Sequence, residues 1–414
     1  MAGSATGVDY DVVIAGGGMI GTSLALALSP LGLRVAVVEA IGRGAASQPS
    51  FDDRSTALSR STQRMFEAMG LWDRIRAAST PIKSIHVSDK GRFGFSHIDS
   101  AEQKVEALGY VVINRVLGEV LQEALSGDKS IDVVCPAKIV AIQAAPNVMT
   151  ASVLREGEDT QEFRCRLLVA ADGANSSVRD MMGITASQAA YGQRAVVGNL
   201  LPEKPLEHVA YERFTDVGPL ALLPIVDERA AFIWTVAEND AERVLGLDDE
   251  AFLEELQTAF GNRLGRFSRV GKRAAYPLSL SKALRLTAAR SVLVGNAAHG
   301  LHPVAAQGFN LGMRDVAALC DCIADSCTAG DADIGRQELL SRFAGWRKAD
   351  QEKLVRFTDG LVKLFTSKSK RASLLRNVGM LGIDFIPGVR SEFARHTMGL
   401  AGRLPRLSRG VPLR

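Results

Sequence analysis

Residues 9–39, DYDVVIAGGGMIGTSLALALSPLGLRVAVVE, leave this chain few ways to fold. An apolar run from Val12 to Ala15 stops at Gly16, Gly18 and Gly21, helical spacing starts near Met19, and a second apolar run, RVAVVEA, reaches Glu39. Strand, glycine turn, helix and strand in so short a span form a βαβ unit of the dinucleotide-binding kind. Gly16 permits the tight turn, Gly18 lets backbone approach a pyrophosphate, and Gly21 lets helix and sheet pack closely. Glu39, eighteen residues beyond Gly21, stands where an acid accepts hydrogen bonds from an adenosine ribose. A glycine-rich turn without a ligand would not require the acid.

Two later junctions repeat the theme. Leu167 to Ala171 read as a buried strand ending in Asp172 and Gly173, with a helix starting near Asn175. The stretch RSVLVGNAAHGLHPVAAQGFNLGMRDV places Gly295, Asn296, Pro303, Gly308, Phe309, Asn310 and Gly312 between another buried strand and a long helix. Ligands of open parallel sheets gather at the carboxyl ends of the strands, so one long ligand can touch all three junctions. His299 and His302 have no third ligand or carboxylate partner in the sequence pattern, so a metal site is set aside and packing or capping is expected.

Between these units the texture changes. IKSIHVSDKGRFGFSHI reads as a hairpin about Asp89, Lys90 and Gly91, and RAVVGNL, VAYERFT, LALLPI and AAFIWTVA read as short strands of an antiparallel sheet. The predicted class is α/β: a discontinuous Rossmann-like nucleotide domain (9–83, 105–185 and 282–345), an inserted antiparallel-sheet substrate domain (84–104 and 186–281), and a C-terminal helical, basic region (346–414).

Taken together, the early Gly-x-Gly-x-x-Gly, the middle Asp-Gly and the late glycine-rich loop resemble the single-component FAD-dependent aromatic hydroxylases over nearly the whole chain. FDDRSTALS, YERFTDVGPLALLPI, GKRAAYPLSL and GNAAHGLHPVAAQGFNLGMRDV are similar to the ubiquinone-biosynthesis branch of that family. The resemblance implies FAD as resident cofactor, NAD(P)H or another donor as transient reductant, and O2 as co-substrate. It implies hydroxylation of the ring of a polyprenylated phenol, of the 2-polyprenyl-6-methoxyphenol kind, through a flavin C4a-hydroperoxide. It also implies that Glu39 meets the ribose, Asp172 and Gly173 the pyrophosphate region, Arg54 the flavin or pyrophosphate, and Asn114 the ribityl chain; Asn114 is equally suited to cap its helix. Pro303 would lie near the ring face and Gly308, Phe309 and Asn310 at its pyrimidine edge, where a helix N-terminus favours negative charge. Where the broad family has Gly-Asp, this chain has Gly295-Asn296, which keeps an acceptor oxygen and loses its charge. No catalytic base is identified. The rival readings are a NAD-dependent dehydrogenase, which has no use for the late loop, and a non-catalytic flavoprotein subunit of a quinone-biosynthesis assembly.

With 47% hydrophobic and 23% charged residues, composition fits a globular protein. Five irregularly spaced cysteines suit neither a disulfide framework nor a zinc cage, and no leader or spanning segment is evident, so the expected location is the cytoplasm, peripheral on the inner membrane. Charge is uneven: residues 368–414 hold ten Lys or Arg against two acids, net +8, leaving −5 for the other 367. Apolar residues interleaved with this charge point to an anionic membrane surface or a biosynthetic assembly and not to nucleic acid.

Overall fold

The computed structural model describes residues 7–42, 54–90, 95–300, 307–366 and 387–413. Its first strand, β1 (Tyr10–Ala15), is buried from Val12 onward, as a central parallel strand covered on both faces must be. Helix α1 (Met19–Leu28) crosses over and β2 (Val35–Val38) returns parallel to β1. On the other flank lie the parallel strands Gln161–Ala170 and Ser291–Leu293, while Ile131–Val134 extends the sheet beyond β2. Ala137–Ala144 and Met149–Arg155 continue it as antiparallel strands.

Register decides what this sheet can do. Ala15 pairs with Val38 on one side and Ala170 on the other, and Ala170 pairs with Leu293. Four strand ends therefore share one edge. The chain leaves it through bonds from Gly16 N–H to the Val38 carbonyl (2.8 Å), Ala171 N–H to Ala15 (2.8 Å) and Val294 N–H to Ala170 (3.0 Å). Beneath the sheet runs the helix Gln307–Thr328, whose Met313, Val316, Ala317, Cys320, Ile323 and Ala324 recur at helical spacing and are all buried in the core.

A second, nine-stranded sheet takes its strands from two separate stretches, Ser84–Asp89 with Phe95–Asp99, and Ala186–Pro202 through Ala274–Ala283, plus the short His299–Gly300. It was expected to be antiparallel, and all its pairs are except one: Val209–Phe214 runs parallel to Ser84–Asp89. Those two strands belong to different insertions, so no hairpin constrains their direction. One face of this sheet packs on the helix Asp249–Phe260, with Phe252, Leu256 and Phe260 clustered against Val196, Leu220 and Phe232. A third sheet of three strands joins β3 (Ser55–Ser59), Gly109–Ile113 and Ser79–Ile82; helix α2 (Arg60–Ala68) leaves it directly.

A single helix, Gln337–Thr366, runs through residue 346: Leu339, Leu340 and Phe343 are buried in the core, and one turn on Arg347 is buried in ion pairs with Asp315 and Asp350. The end of the chain is anchored in the core. Helix Pro387–Thr397 and the segment after it bury Ala394, Met398, Leu407 and Leu413. Arg406 pairs with Asp325 and donates its backbone N–H to Asp321, and Arg403 lies 4.1 Å over the Trp346 ring. Residues 368–386 and 414 of the basic region lie outside the described residues.

Candidate cofactor site

The shared strand edge opens into a cleft of about 1180 Å³. At its floor Gly16 turns with φ of +99°, and a Cβ there would stand 2.6 Å from the Ala171 carbonyl oxygen. Gly21 does not line the cleft. Its role is packing: a Cβ would sit 1.9 Å from the Gly16 carbonyl oxygen, so only glycine lets α1 approach the turn. Gly18 lines the cleft immediately before α1, and the opening turn of that helix offers unpaired N–H groups to an anion. Glu39 lies beside it, with its carboxylate accepting from Gly17 N–H (2.5 Å) and Ile41 N–H (2.7 Å). Each oxygen retains a lone pair for a further donor.

The middle junction contributes Asp172 and Gly173 to the lining. Asp172 is also structural: it accepts from Ser176 Oγ and from Val178 N–H, fastening the short helix Ser177–Met181. Gly173, at φ of +89°, has open space where a Cβ would point. Arg54 and Asn114 meet at the mouth, where Asn114 N–H donates to the Arg54 carbonyl (2.8 Å) and the Asn114 side-chain oxygen accepts from Thr56 Oγ1 (2.6 Å). Asn114 is the first helical residue of Asn114–Gly127, while Ile113 holds the cap position without a side-chain bond, so the capping reading of Asn114 is corrected.

At the late loop, Gly295, the exposed Asn296, Gly308 and Phe309 line the cleft. Pro303 and His302 lie outside the described residues. The Asn310 side chain is engaged within the fold. Its oxygen accepts from Ser59 N–H (2.8 Å) and Thr62 Oγ1 (2.8 Å), and its amide donates to the Ala57 carbonyl (2.8 Å), so it ties the long helix to the start of α2.

Sequence reasoning missed the group beneath this loop. Asp315 is fully buried and accepts from Gly295 N–H (3.0 Å), His299 Nε2 (2.6 Å) and Arg347 Nε (2.7 Å). Arg347 also donates to Asp350 (2.5 Å), which in turn holds Arg314 (2.6 Å). Burial pushes the Asp315 carboxyl up, but the attraction and hydrogen bonds of His299 and Arg347 more than offset it and hold its pKa at about 2. A lone acid among the apolar Met313, Val316 and Ala317 was the available signal. His299 is thus a packing residue with a carboxylate partner.

Opposite the glycine edge, the second sheet supplies an apolar wall. Ala195 and Val197, Ala231 and Ile233, and Tyr276 and Leu278 line the cleft, each pair two residues apart on one face of a strand. That alternation was legible in the sequence but was not read residue by residue. Among the described lining residues, Arg54 and Lys138 are the cations and Glu39 and Asp172 the anions. One side of the cleft thus suits a dinucleotide, and the other a flat apolar molecule.

The FAD binding domain family matches residues 9–358. Ubiquinone hydroxylase UbiL of Rhodospirillum rubrum is 36% identical over 97% of this chain and 93% of its own length. The 3-demethoxyubiquinol 3-hydroxylase of Escherichia coli is 30% identical over 94% of this chain and 98% of its own. In three dimensions the chain is similar to p-nitrophenol 4-monooxygenase PnpA of Pseudomonas putida DLL-E4, with a TM-score of 0.78 at 19% identity over 95% of this chain and 98% of that one. The βαβ unit, the shared strand edge and these relatives together establish that the chain belongs to the FAD binding domain family, as an FAD-dependent monooxygenase.

Proposed function

We propose that this enzyme hydroxylates the aromatic ring of a polyprenylated phenol on the way to ubiquinone. The observation that carries the reading is the two-sided cleft, glycine junctions facing an apolar sheet, in a chain whose relatives are named for ubiquinone and its precursors. Bound FAD, reduced by NAD(P)H or another donor, supplies the electrons with which O2 places one oxygen atom on the ring and the other in water. The chain's own residues bind, orient and keep water out.

Along the nucleotide side, Gly16 and Gly18 would admit the diphosphate against the start of α1, and Glu39 would receive ribose hydroxyls. Gly173, Gly295, Asn296, Gly308 and Phe309 would border the rest of the cofactor, with Asp172 holding the middle turn in place. Asn296 would accept from a hydroxyl through its amide oxygen. The space at Gly173 and Gly308, where a Cβ would meet none of the described residues within 4 Å, supports this fit. Opposite, Ala195, Val197, Ala231 and Ile233 present apolar side chains that suit a phenol ring and its prenyl stem and exclude water from the reacting carbon. Residues 84–104 and 186–281 form the substrate part on this reading.

Among the described residues no helix is long and apolar enough to cross a membrane. Lys368, Lys370, Arg371 and Arg376 are the candidates for contact with anionic lipid. Reversing their charge should reduce co-sedimentation with anionic vesicles and leave neutral vesicles unaffected.

The experiment for the activity has two steps. Purified protein should show flavin absorption and release FAD on denaturation. Holoenzyme given NADPH, heavy-isotope O2 and a prenylated phenol should then yield a product carrying one labelled oxygen. A protein that takes up no FAD, or that oxidises donor only to peroxide with every prenylated phenol tried, would overturn the reading.

A further inference from the structure

The Arg54 guanidinium lies 4.5 Å over the ring of Tyr276. The two residues come from opposite sides of the cleft: Arg54 immediately precedes β3, whereas Tyr276 belongs to the strand Ala274–Ala283 and pairs with Ala195 on the apolar wall. Both line the cleft. Tyr276 is 39% exposed, and its ring presents a face to the cation. The backbone of Arg54 is fixed separately, by the bond from Asn114 N–H to its carbonyl. Tyr276 thus contacts its head, and the helix Asn114–Gly127 holds its base.

We infer that Tyr276, a residue of the substrate-facing sheet, is a positioning residue for FAD: its ring aims the Arg54 guanidinium at the cofactor's anionic part. This rests on the assignment of FAD to the cleft. The charge pattern makes the position of Arg54 consequential. A diphosphate entering a cleft already lined by Glu39 and Asp172 meets two carboxylates, and Arg54 and Lys138 are the lining cations among the described residues that can offset them. A guanidinium located in advance loses less side-chain freedom when the anion arrives. Because the locating ring sits on the substrate wall, cofactor affinity and the shape of the substrate side are coupled through one contact, and by linkage the coupling acts in both directions.

The test is a double-mutant cycle on the full-length holoenzyme, with the FAD dissociation constant read from flavin fluorescence on dilution. A cation on an aromatic face at a partly exposed site corresponds to roughly a two- to fivefold change in affinity. Tyr276→Leu should weaken FAD by about that factor, and Tyr276→Phe, which keeps the ring, should restore most of it. In an Arg54→Met background, Tyr276→Leu should have no further effect. Additive effects of the two substitutions, or a Tyr276→Phe variant as weak as Tyr276→Leu, would overturn the inference, since the ring would then not act through Arg54. A parent chain that binds no FAD would be a different failure, removing the cofactor assignment and this inference with it.

Discussion

Replacing Asp315 by asparagine changes one buried atom pair and tests the support of the whole late loop. The carboxylate receives Gly295 N–H and His299 on one oxygen and Arg347, with Gln351 at 3.4 Å, on the other. An asparagine of the same shape offers one acceptor oxygen and turns an NH2 group onto whichever donors remain. The depression of the carboxyl from 3.8 to about 2 corresponds to about 2 kcal/mol of folding stability at neutral pH. Removing the charge also takes one of two carboxylate partners from Arg347, which is 0% exposed and keeps Asp350, so the cost lies at the lower end of the roughly 3–5 kcal/mol for breaking a buried pair. The second figure is the better guide, since the variant adds donor against donor. For 414 residues unfolding as one unit, the entropy at the midpoint gives about 1 °C per kcal/mol, hence a loss at the lower end of about 3–5 °C. Thermal unfolding followed by flavin release should show it at pH 7. Arg243→Ala, which removes the centre of the exposed cluster with Asp240 and Glu255, should leave the midpoint unchanged. A group whose folded pKa is depressed stabilises above its unfolded pKa and loses that contribution as pH falls, so the gap between parent and Asp315→Asn should narrow from about pH 4 towards pH 2. A variant within 1 °C of the parent at pH 7, estimated against the roughly 3 °C minimum above, would refute the reasoning.

Three further outcomes follow from the same geometry. Gly21→Ala should abolish folded, yellow protein, because its Cβ would lie 1.9 Å from backbone, whereas Gly308→Ala should leave the thermal midpoint of flavin-free protein unchanged and act only on FAD affinity. Asn310→Leu leaves Ser59 N–H, Thr62 Oγ1 and the Ala57 carbonyl without a shared partner and should cost about 1–3 kcal/mol in denaturant titration, with little change in the affinity of whatever FAD remains bound. Asn296→Asp adds charge at an exposed cleft position, and if its side chain meets a cofactor hydroxyl the FAD dissociation constant should fall severalfold at constant stability; an unchanged constant would remove Asn296 from the site.

The βαβ unit was readable because each part of the signal is local: an apolar run, glycines where only glycine fits, and an acid at the end of the next strand. The three junctions could be brought together on paper because buried parallel strands end on a common edge. What could not be read depends on partners far along the chain. Asn310 reaches Ser59 across 251 residues and Arg347 reaches Asp315 across 32, and neither asparagine nor arginine announces which carbonyl or carboxylate it will find. Charge counting at the C-terminus is likewise silent on which cations are taken up within the fold. Arg403 and Arg406 add to the basic total but are taken up by Trp346, Asp321 and Asp325, so deletion of residues 368–414 would damage the core as well as any lipid contact. Strand direction was equally invisible where Val209–Phe214 meets Ser84–Asp89, since that pairing has no connecting turn to read.

That parallel pairing also sets a schedule for synthesis. Ser84–Asp89 emerges from the ribosome about 120 residues before Val209, which at 5–20 residues per second means roughly 6–24 s during which its future partner does not exist. Through that interval the early hairpin presents an unpaired edge, the kind of surface that recruits another nascent chain. Expression at lower temperature, or with a chaperone that occupies strand edges, should therefore raise the yield of native enzyme more than any change that strengthens the nucleotide unit, which can assemble its first two strands long before.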